Sequence, residues 1–221
     1  MNLRHLLDLD MFSPFQVAML LAGTFLWLWY YIILVRNSYK LKYVEMPLFA
    51  ACANIAWELL WGFVFKTEMG KILSFGYKAA FIIDIFIFAA IFLHMRSYIK
   101  IPLIKKYFAP LLLFAFAMWT LFLYLFQIGG YDTPTASTSA FMLNIFVSFL
   151  YWFLLLRDGL EQKSYTIAWL KILGNLAYSI FVVNYFPHLY MVHMLCAMCF
   201  VFDLWYLVLF IKMRKEARAA V

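Results

Sequence analysis

Seven long apolar runs limit what this chain can fold into. They lie at Phe15–Val35, Pro47–Phe65, Ala79–Met95, Phe108–Phe126, Ala140–Leu156, Ile167–Phe186 and Leu189–Ile211. Each run has the length of about 17–25 residues with which a helix crosses a bilayer. Hydrophobic residues make up 67% of the chain and charged residues 13%, whereas soluble domains have about 45–50% and 25%. The sequence therefore predicts an all-α polytopic membrane protein, a bundle of seven transmembrane helices that forms one domain over residues 1–221.

Basic residues indicate how the bundle is oriented. Four Lys or Arg residues lie on the side of the amino terminus and thirteen lie on the opposite side. Because cytosolic loops are enriched in Lys and Arg, the carboxyl terminus is predicted to be cytosolic and the amino terminus outside or lumenal. Lys171, one turn inside the sixth run, is expected to extend towards the cytosolic surface. The segment Met1–Ser13 lacks an apolar core, so no cleavable signal peptide is expected.

The net charge of +7 is spread over the short loops that flank the apolar runs. This pattern is typical of topology signals rather than of a nucleic-acid-binding surface. Membrane lipids are therefore expected partners, whereas neither nucleic acid nor an obligate protein partner is predicted. Cys52, Cys196 and Cys199 lie within apolar runs and have no histidine pair beside them. No metal, redox site or other cofactor is expected.

Three acidic residues lie inside the apolar runs: Glu58 in the second, Asp84 in the third and Asp203 in the seventh. A charged side chain at the bilayer centre costs about 2.5 kcal/mol or more, so a functional role is expected. With a rise of about 1.5 Å per residue, Glu58 and Asp84 lie roughly 16 Å from the predicted cytosolic ends of their runs, and Asp203 roughly 12 Å. We therefore predict that these acids, for which the runs offer no matching buried base, face one water-poor cavity.

Polar and aromatic side chains share helix faces with the acids, because residues three or four positions apart lie on one face. On this basis the predicted substrate-binding residues are Asn54 and Trp61 beside Glu58, and Phe200 and Tyr206 beside Asp203. Stripes of the fifth and sixth runs add Asn144, Asn175 and Tyr178, and Trp57 and Asp84 are included as supports or cavity lining. Ordinary bundle packing would also explain any single stripe of this kind. The stripes together favour a lined cavity, and aromatic faces attract cations. An acid in dry, aromatic surroundings is what protonation-initiated cyclisation of a polyene needs.

One short motif adds a family resemblance. The segment Asn54-Ile-Ala-Trp57-Glu58-Leu in the second run, with Asp203 in the last, resembles the integral-membrane terpene cyclases of fungal meroterpenoid biosynthesis (the pyripyropene cyclase-like family) and their bacterial relatives. The resemblance implies a metal-independent cyclase of the lyase or isomerase type. Its catalytic residues would be Glu58 and Asp203, which would protonate an epoxide or terminal alkene of a lipophilic prenylated substrate. It also implies a multi-pass protein of a bacterial cytoplasmic membrane or the fungal endoplasmic reticulum.

Other functions remain open at this point. A small seven-helix proton-coupled transporter is the main alternative, because intramembrane acids often relay protons. The lack of an internal repeat counts against it. A retinal protein would need a lysine deep in the last run, which has none before Lys212. A membrane isomerase of the sterol type would share the cation chemistry. Asp84 and Asp203 could instead hold helices together through hydrogen bonds.

Overall fold

The computed structural model describes residues 10–219, and every regular element in that range is a helix. The helices are α1 (Pro14–Leu41), α2 (Leu48–Leu59), α3 (Gly70–His94), α4 (Pro102–Lys106), α5 (Phe108–Ile128), α6 (Ser137–Asp158), α7 (Tyr165–Tyr185) and α8 (Tyr190–Ala219). A π-helical turn, Leu60–Val64, continues α2, and a 3₁₀ turn, Met95–Tyr98, follows α3. The all-helical prediction is confirmed for this range. Most of the Met1–Ser13 segment lies outside the described residues.

Six of the helices, α1, α3 and α5 to α8, are long and apolar enough to cross a membrane. The second predicted span corresponds to the shorter apolar helix Leu48–Val64, in which α2 and the π-helical turn are joined. The seven-span count and the assignment of the two sides stay predictions. Local signals explain where some helices begin. Ser13 and Gln16 form a capping box before α1, with Pro14 at its first position, and Ser164 caps α7.

Six helices form a ring through their packing contacts. In order around it, α1 packs on α3, α3 on α2, α2 on α6, α6 on α8, α8 on α7, and α7 back on α1. Helix α5 packs mainly against α2 and lies outside the ring. Only a small part of its apolar segment is buried. Most of its surface therefore faces the surroundings, which in a membrane are lipid chains.

At the end of the bundle predicted to be cytosolic, a buried glutamate joins two loops. Glu45 precedes α2, and its Oε2 accepts a hydrogen bond from the backbone N–H of Ser164 at 2.9 Å. Burial raises the pKa of Glu45 to about 8, although the Ser164 N–H and the ammonium of Lys163 act to lower it. The Lys163 Nζ donates a hydrogen bond to the Tyr43 hydroxyl at 2.7 Å. These contacts fix the start of α2, the helix that carries Glu58.

Candidate active site

Helices α1, α2, α3, α6 and α7 surround a cavity with about 880 Å³ of free space, including its open part. The cavity extends from Tyr31 and Glu58, in the middle of the bundle, to Met69 and Thr135, where α3 and α6 begin. The lining is mostly apolar and aromatic, with a few polar groups that converge at two places.

Glu58 is the acid of this cavity. Its side chain is 3% exposed. Oε1 accepts a hydrogen bond from the Tyr31 hydroxyl at 2.7 Å and another from Asn54 Nδ2 at 3.2 Å. Oε2 has no hydrogen-bond donor among the described residues. One oxygen is therefore fixed in place while the other remains available to carry a proton.

Asn54 connects Glu58 with Asp84 on the neighbouring helix α3. Its Nδ2 lies 2.7 Å from Asp84 Oδ2 and 2.6 Å from the Tyr31 hydroxyl. Asp84 is 2% exposed and is not part of the cavity lining, because Asn54 and Glu58 stand between it and the open space. Asn54 and Glu58 are one helical turn apart on α2, which puts both on the face that meets α1 and α3.

Aromatic rings form much of the wall near Glu58. They come from Trp27, Trp57, Tyr77, Phe141 and Tyr178, which lie on five different helices. The indole N–H of Trp57 donates a hydrogen bond to Ser139 Oγ at 2.8 Å, and its ring packs edge-on against Tyr77. Tyr178 and Thr24 share a hydrogen bond of 2.9 Å. Aromatic rings attract cations through their electron-rich faces, so a wall of this composition is compatible with a cationic occupant.

Glycines in the adjoining helices make room for two of these rings. A Cβ atom at Gly174 of α7 would lie 2.9 Å from Trp27 Cδ1, and one at Gly23 of α1 would lie 3.0 Å from the ring of Tyr178. Both distances are shorter than normal carbon contacts, so a methyl group at either position would push the ring aside. The shape of the cavity wall thus depends on the close approach of α1 and α7.

The end of the cavity next to α6 is built by a polar loop. Asp132 Oδ1 accepts hydrogen bonds from the backbone N–H groups of Thr133, Thr138 and Ser139 and so caps the start of α6. Burial raises the pKa of Asp132, against these hydrogen bonds. Thr135 lines the cavity at this end, and its hydroxyl shares a hydrogen bond of 2.7 Å with Ser137. This end offers hydroxyl groups, whereas the end at Glu58 offers an acid.

Asp203 does not line the cavity, so the expected common chamber of Glu58 and Asp203 is wrong. Its carboxylate forms an ion pair with Lys171 of α7 and accepts a hydrogen bond from Asn175 Nδ2 at 2.7 Å. The expectation that Lys171 reaches the surface is also wrong, since this side chain is 1% exposed and also donates to Ser148 of α6. Pairing with Asp203 explains the burial, because an unpaired ammonium in apolar surroundings is costly. The buried base that the sequence seemed to lack is therefore Lys171.

Tyrosine side chains fill the space between the two acids. Tyr31, the partner of Glu58, packs edge-on against Tyr30 with ring centroids 5.4 Å apart. The Tyr30 and Tyr151 hydroxyls share a hydrogen bond of 2.6 Å. The ring of Tyr151 in turn lies 5.7 Å from Lys171 Nζ. The two acidic sites are joined by packed side chains rather than by open space.

The other predicted site residues fall into two groups, those that line the cavity and those that do not. Asn54, Trp57, Asn144 and Tyr178 line the cavity, as expected. Those that lie outside its lining are Trp61, Asp84, Asn175, Phe200 and Tyr206. Trp61 is displaced because the π-helical turn begins at Leu60, so the three-residue spacing from Glu58 no longer gives a common face. Phe200 and Tyr206, both on α8, belong to the main hydrophobic core of the bundle.

Several residues that line the cavity were not among the predicted site residues. Tyr31 lies in the first apolar run, and nothing in that run indicates that its hydroxyl meets Glu58. Tyr77, Thr135 and Ser137 lie near helix starts, where polar residues are usually solvated. Among residues 10–219, no group of three or more His, Cys, Asp or Glu side chains is placed to hold a metal ion.

Comparisons with known proteins found two matches to the sequence. The sequence model of a family described as Pyr4-like transmembrane terpene cyclases matches residues 11–216. The Pyr4-family terpene cyclase mfmH of Annulohypoxylon moriforme is 36% identical over 70 residues, which are 32% of this chain and 28% of that relative. The aligned part thus covers less than a third of the relative's length. No solved structure matches the chain.

Proposed function

The chain belongs to the Pyr4-like transmembrane terpene cyclases, a family of multi-pass integral membrane enzymes, and we propose that it cyclises a lipophilic prenylated substrate by protonation. The substrate would be of the meroterpenoid type, a prenyl chain attached to a polar or aromatic head group. Glu58 is the proton donor in this proposal, and the reaction needs no metal.

The observation that carries the proposal is the placement of Glu58. It is the carboxyl group that lines the cavity among the described residues, and one of its oxygens has no protein donor. The Tyr31 hydroxyl and Asn54 amide hold the other oxygen, which fixes the carboxyl group in one orientation beside the cavity. A positioned acid within reach of a bound alkene or epoxide is the geometric requirement for general acid catalysis.

The reaction begins when the O–H bond of Glu58 breaks and its proton bonds to a lone pair of the epoxide oxygen or, through the π electrons, to the less substituted carbon of the terminal alkene. In the epoxide a C–O bond then breaks and oxygen keeps its electron pair, and in either case a carbocation forms. Neighbouring double bonds attack this cation in turn and close the rings. Loss of a proton from the final cation forms a new double bond, and that proton restores the enzyme. The isomerisation is thus balanced without a further reactant.

The walls of the cavity support the later steps of this reaction. The rings of Trp27, Trp57 and Tyr77 are placed to stabilise positive charge by their faces. A mostly apolar lining keeps water from quenching the cation. Asn144 lines the cavity and its side chain makes no hydrogen bond with the described protein, so we propose that it contacts the substrate's head group. Tyr178 and the Thr135 end of the cavity would share this role.

Asp203 enters the proposal through the ion pair with Lys171 rather than as a second acid. Together with Asn175 it fixes α7 against α8, and α7 carries Tyr178 of the cavity wall.

We also propose the seven-span arrangement, with Leu48–Val64 as the second span and the carboxyl terminus in the cytosol. The span count follows from the apolar lengths and the orientation from the loop charges, and both can be checked by the accessibility of single engineered cysteines from the two sides.

The test compares two glutamine variants in isolated membranes. Glu58→Gln keeps the shape of the side chain and removes the proton, whereas Glu45→Gln makes the same change at a buried glutamate outside the cavity. Membranes with each variant receive a farnesyl aromatic and its terminal epoxide, and cyclised products are measured by mass spectrometry. We expect Glu58→Gln to lose at least about a hundredfold in turnover, with Glu45→Gln near the unaltered protein. Activity of Glu58→Gln within a few-fold of the unaltered protein would refute the acid role.

Transport by a small proton-coupled carrier is tested separately. Purified protein in liposomes is given an acid gradient and the same prenylated compounds. Accumulation without any change in the compound would favour a transporter. Conversion to an isomer of equal mass, with or without the gradient, favours the cyclase.

A further inference from the structure

Glu58 and Asp84 form one buried acid pair on the two sides of Asn54. Both side chains are almost completely buried, and one amide nitrogen lies within hydrogen-bonding distance of an oxygen from each. The Asn54 Nδ2 lies 3.2 Å from Glu58 Oε1 and 2.7 Å from Asp84 Oδ2, so the two carboxyl groups are close neighbours in a buried place. Two ionised carboxylates side by side in apolar surroundings repel each other strongly, which favours a single proton on the pair.

The remaining oxygens agree with a shared proton. Glu58 Oε2 and Asp84 Oδ1 are both buried and both lack a hydrogen-bond donor in the described protein. Buried polar atoms normally have partners. The described cavity lining contains no Lys, Arg or His that could neutralise two negative charges at this place. One proton held by the pair leaves a single negative charge, which the Asn54 amide and the Tyr31 hydroxyl can accommodate.

From this geometry we propose that Asp84 is a positioning residue that holds the proton on Glu58 for delivery into the cavity. The inference rests on the proposed function, in which Glu58 is the acid. Asp84 is screened from the cavity by Asn54 and Glu58, so it acts on the substrate only through Glu58. Its negative charge disfavours a second negative charge on Glu58 and so keeps the acid in its active, protonated form. When the proton leaves, the pair carries two negative charges beside the new carbocation, which stabilises that cation.

Other groups near the pair do not replace Asp84 in this role. The titratable groups that face the pair or its cavity are Tyr31 on α1, Tyr77 on α3 and Tyr178 on α7; α6 contributes Ser137 and Asn144, which do not titrate. Helix α5, which packs on the outer side of α2, contributes the apolar and indole side chains of its core cluster. Lys171 is occupied by Asp203 and Ser148.

The first measurement uses the purified protein without substrate and therefore does not depend on the reaction. Infrared difference spectra between the unaltered protein and Glu58→Gln should isolate the C=O band of a protonated Glu58, while bands of other protonated acids such as Glu45 cancel. In Asp84→Asn the same Glu58 band should shift, because the negative charge beside it is replaced by a neutral amide. An unchanged Glu58 band in Asp84→Asn would overturn the proposal.

The second measurement is the pH dependence of kcat/KM. In Asp84→Asn we expect the alkaline loss of activity to begin about one to three pH units lower, because the charge that holds the proton has gone. Asp84→Glu keeps the charge and should restore most of the alkaline range. Glu216→Gln, which removes an exposed charge on α8, serves as the control and should leave the profile unchanged. A uniform drop in activity at every pH in Asp84→Asn would mean a purely structural role and would overturn the proposal.

The two proposals can fail separately. An active Glu58→Gln variant refutes the acid role of Glu58, whereas the infrared spectra still decide whether the pair shares a proton. An inactive Glu58→Gln variant with an unaltered profile in Asp84→Asn leaves the cyclase proposal in place and removes Asp84 from it. Thermal unfolding of Asp84→Asn in detergent, compared with that of Asp84→Glu, identifies a loss of activity that arises from misfolding.

Discussion

The substitution Lys171→Met is expected to lower the free energy of unfolding of the bundle and to leave the cavity unchanged. Methionine keeps most of the apolar length of the side chain and removes the ammonium, which leaves Asp203 buried with Asn175 and Cys199 as its partners. Breaking a buried ion pair from one side typically costs about 3–5 kcal/mol, which lowers the folding equilibrium constant by about a hundredfold to several thousandfold. Lys212→Met is the matched control, since Lys212 is exposed and its pairing with Glu216 at 4.0 Å is weak; it should cost less than about 0.5 kcal/mol.

The double variant Lys171→Met/Asp203→Leu separates structure from chemistry. Replacing both members of a buried pair by apolar residues is often neutral or stabilising, so the double variant should regain most of the lost stability. Unfolding in mixed detergent micelles, followed by tryptophan fluorescence, gives the free energies, and product formation per folded protein gives the activity. A stable but inactive double variant would assign Asp203 to the reaction. A cost below about 1 kcal/mol for Lys171→Met would refute the reasoning about burial.

Two further predictions concern the cavity wall and the loop before α2. Gly174→Ala should push Trp27 into the cavity, which would change the ratio of cyclised products more than it changes stability; an unchanged ratio in chromatography would contradict this. Glu45→Gln should raise the unfolding temperature, with a gain that grows as the pH rises towards about 8. Because burial raises the pKa of Glu45 to about 8, the folded state binds a proton there that the unfolded state has released, so stability falls with rising pH until the glutamate is ionised in both states. A gain that does not depend on pH would contradict that explanation.

The sequence predicted the features that depend on one helix at a time. The lengths of the apolar runs predicted the helices. The four-residue spacing predicted that Asn54 and Glu58 share one helix face, as they do in the structure. Asn144 and Tyr178 were found by the same periodicity, because their helices are regular at those positions. Trp61 does not line the cavity, because the π-helical turn interrupts that regularity.

The features that depend on two helices could not be predicted in this way. Periodicity gives a face but not the direction in which that face points, so nothing in the seventh run showed that Asp203 meets α7 rather than the cavity. Lys171 lies near a span end, where a long side chain could equally reach water. Its partner is 32 residues away on the next helix, a relation that no local pattern contains. The contact of Tyr31 with Glu58, 27 residues apart, is missing from the sequence for the same reason.

The pair of Lys171 and Asp203 has a consequence for how the protein enters the membrane during its synthesis. These residues lie on consecutive helices, α7 and α8, which a short connection at Pro187 and His188 joins. An unpaired aspartate or lysine costs about 2.5–3.5 kcal/mol at the centre of a membrane helix on the insertion scale, and less towards the helix ends, where Lys171 lies. If the two helices leave the translocon together as a preformed hairpin, the charges neutralise each other before they meet the lipid. The last two helices are therefore expected to integrate as one unit, and α7 with its lysine is expected to insert poorly when the chain is truncated before α8.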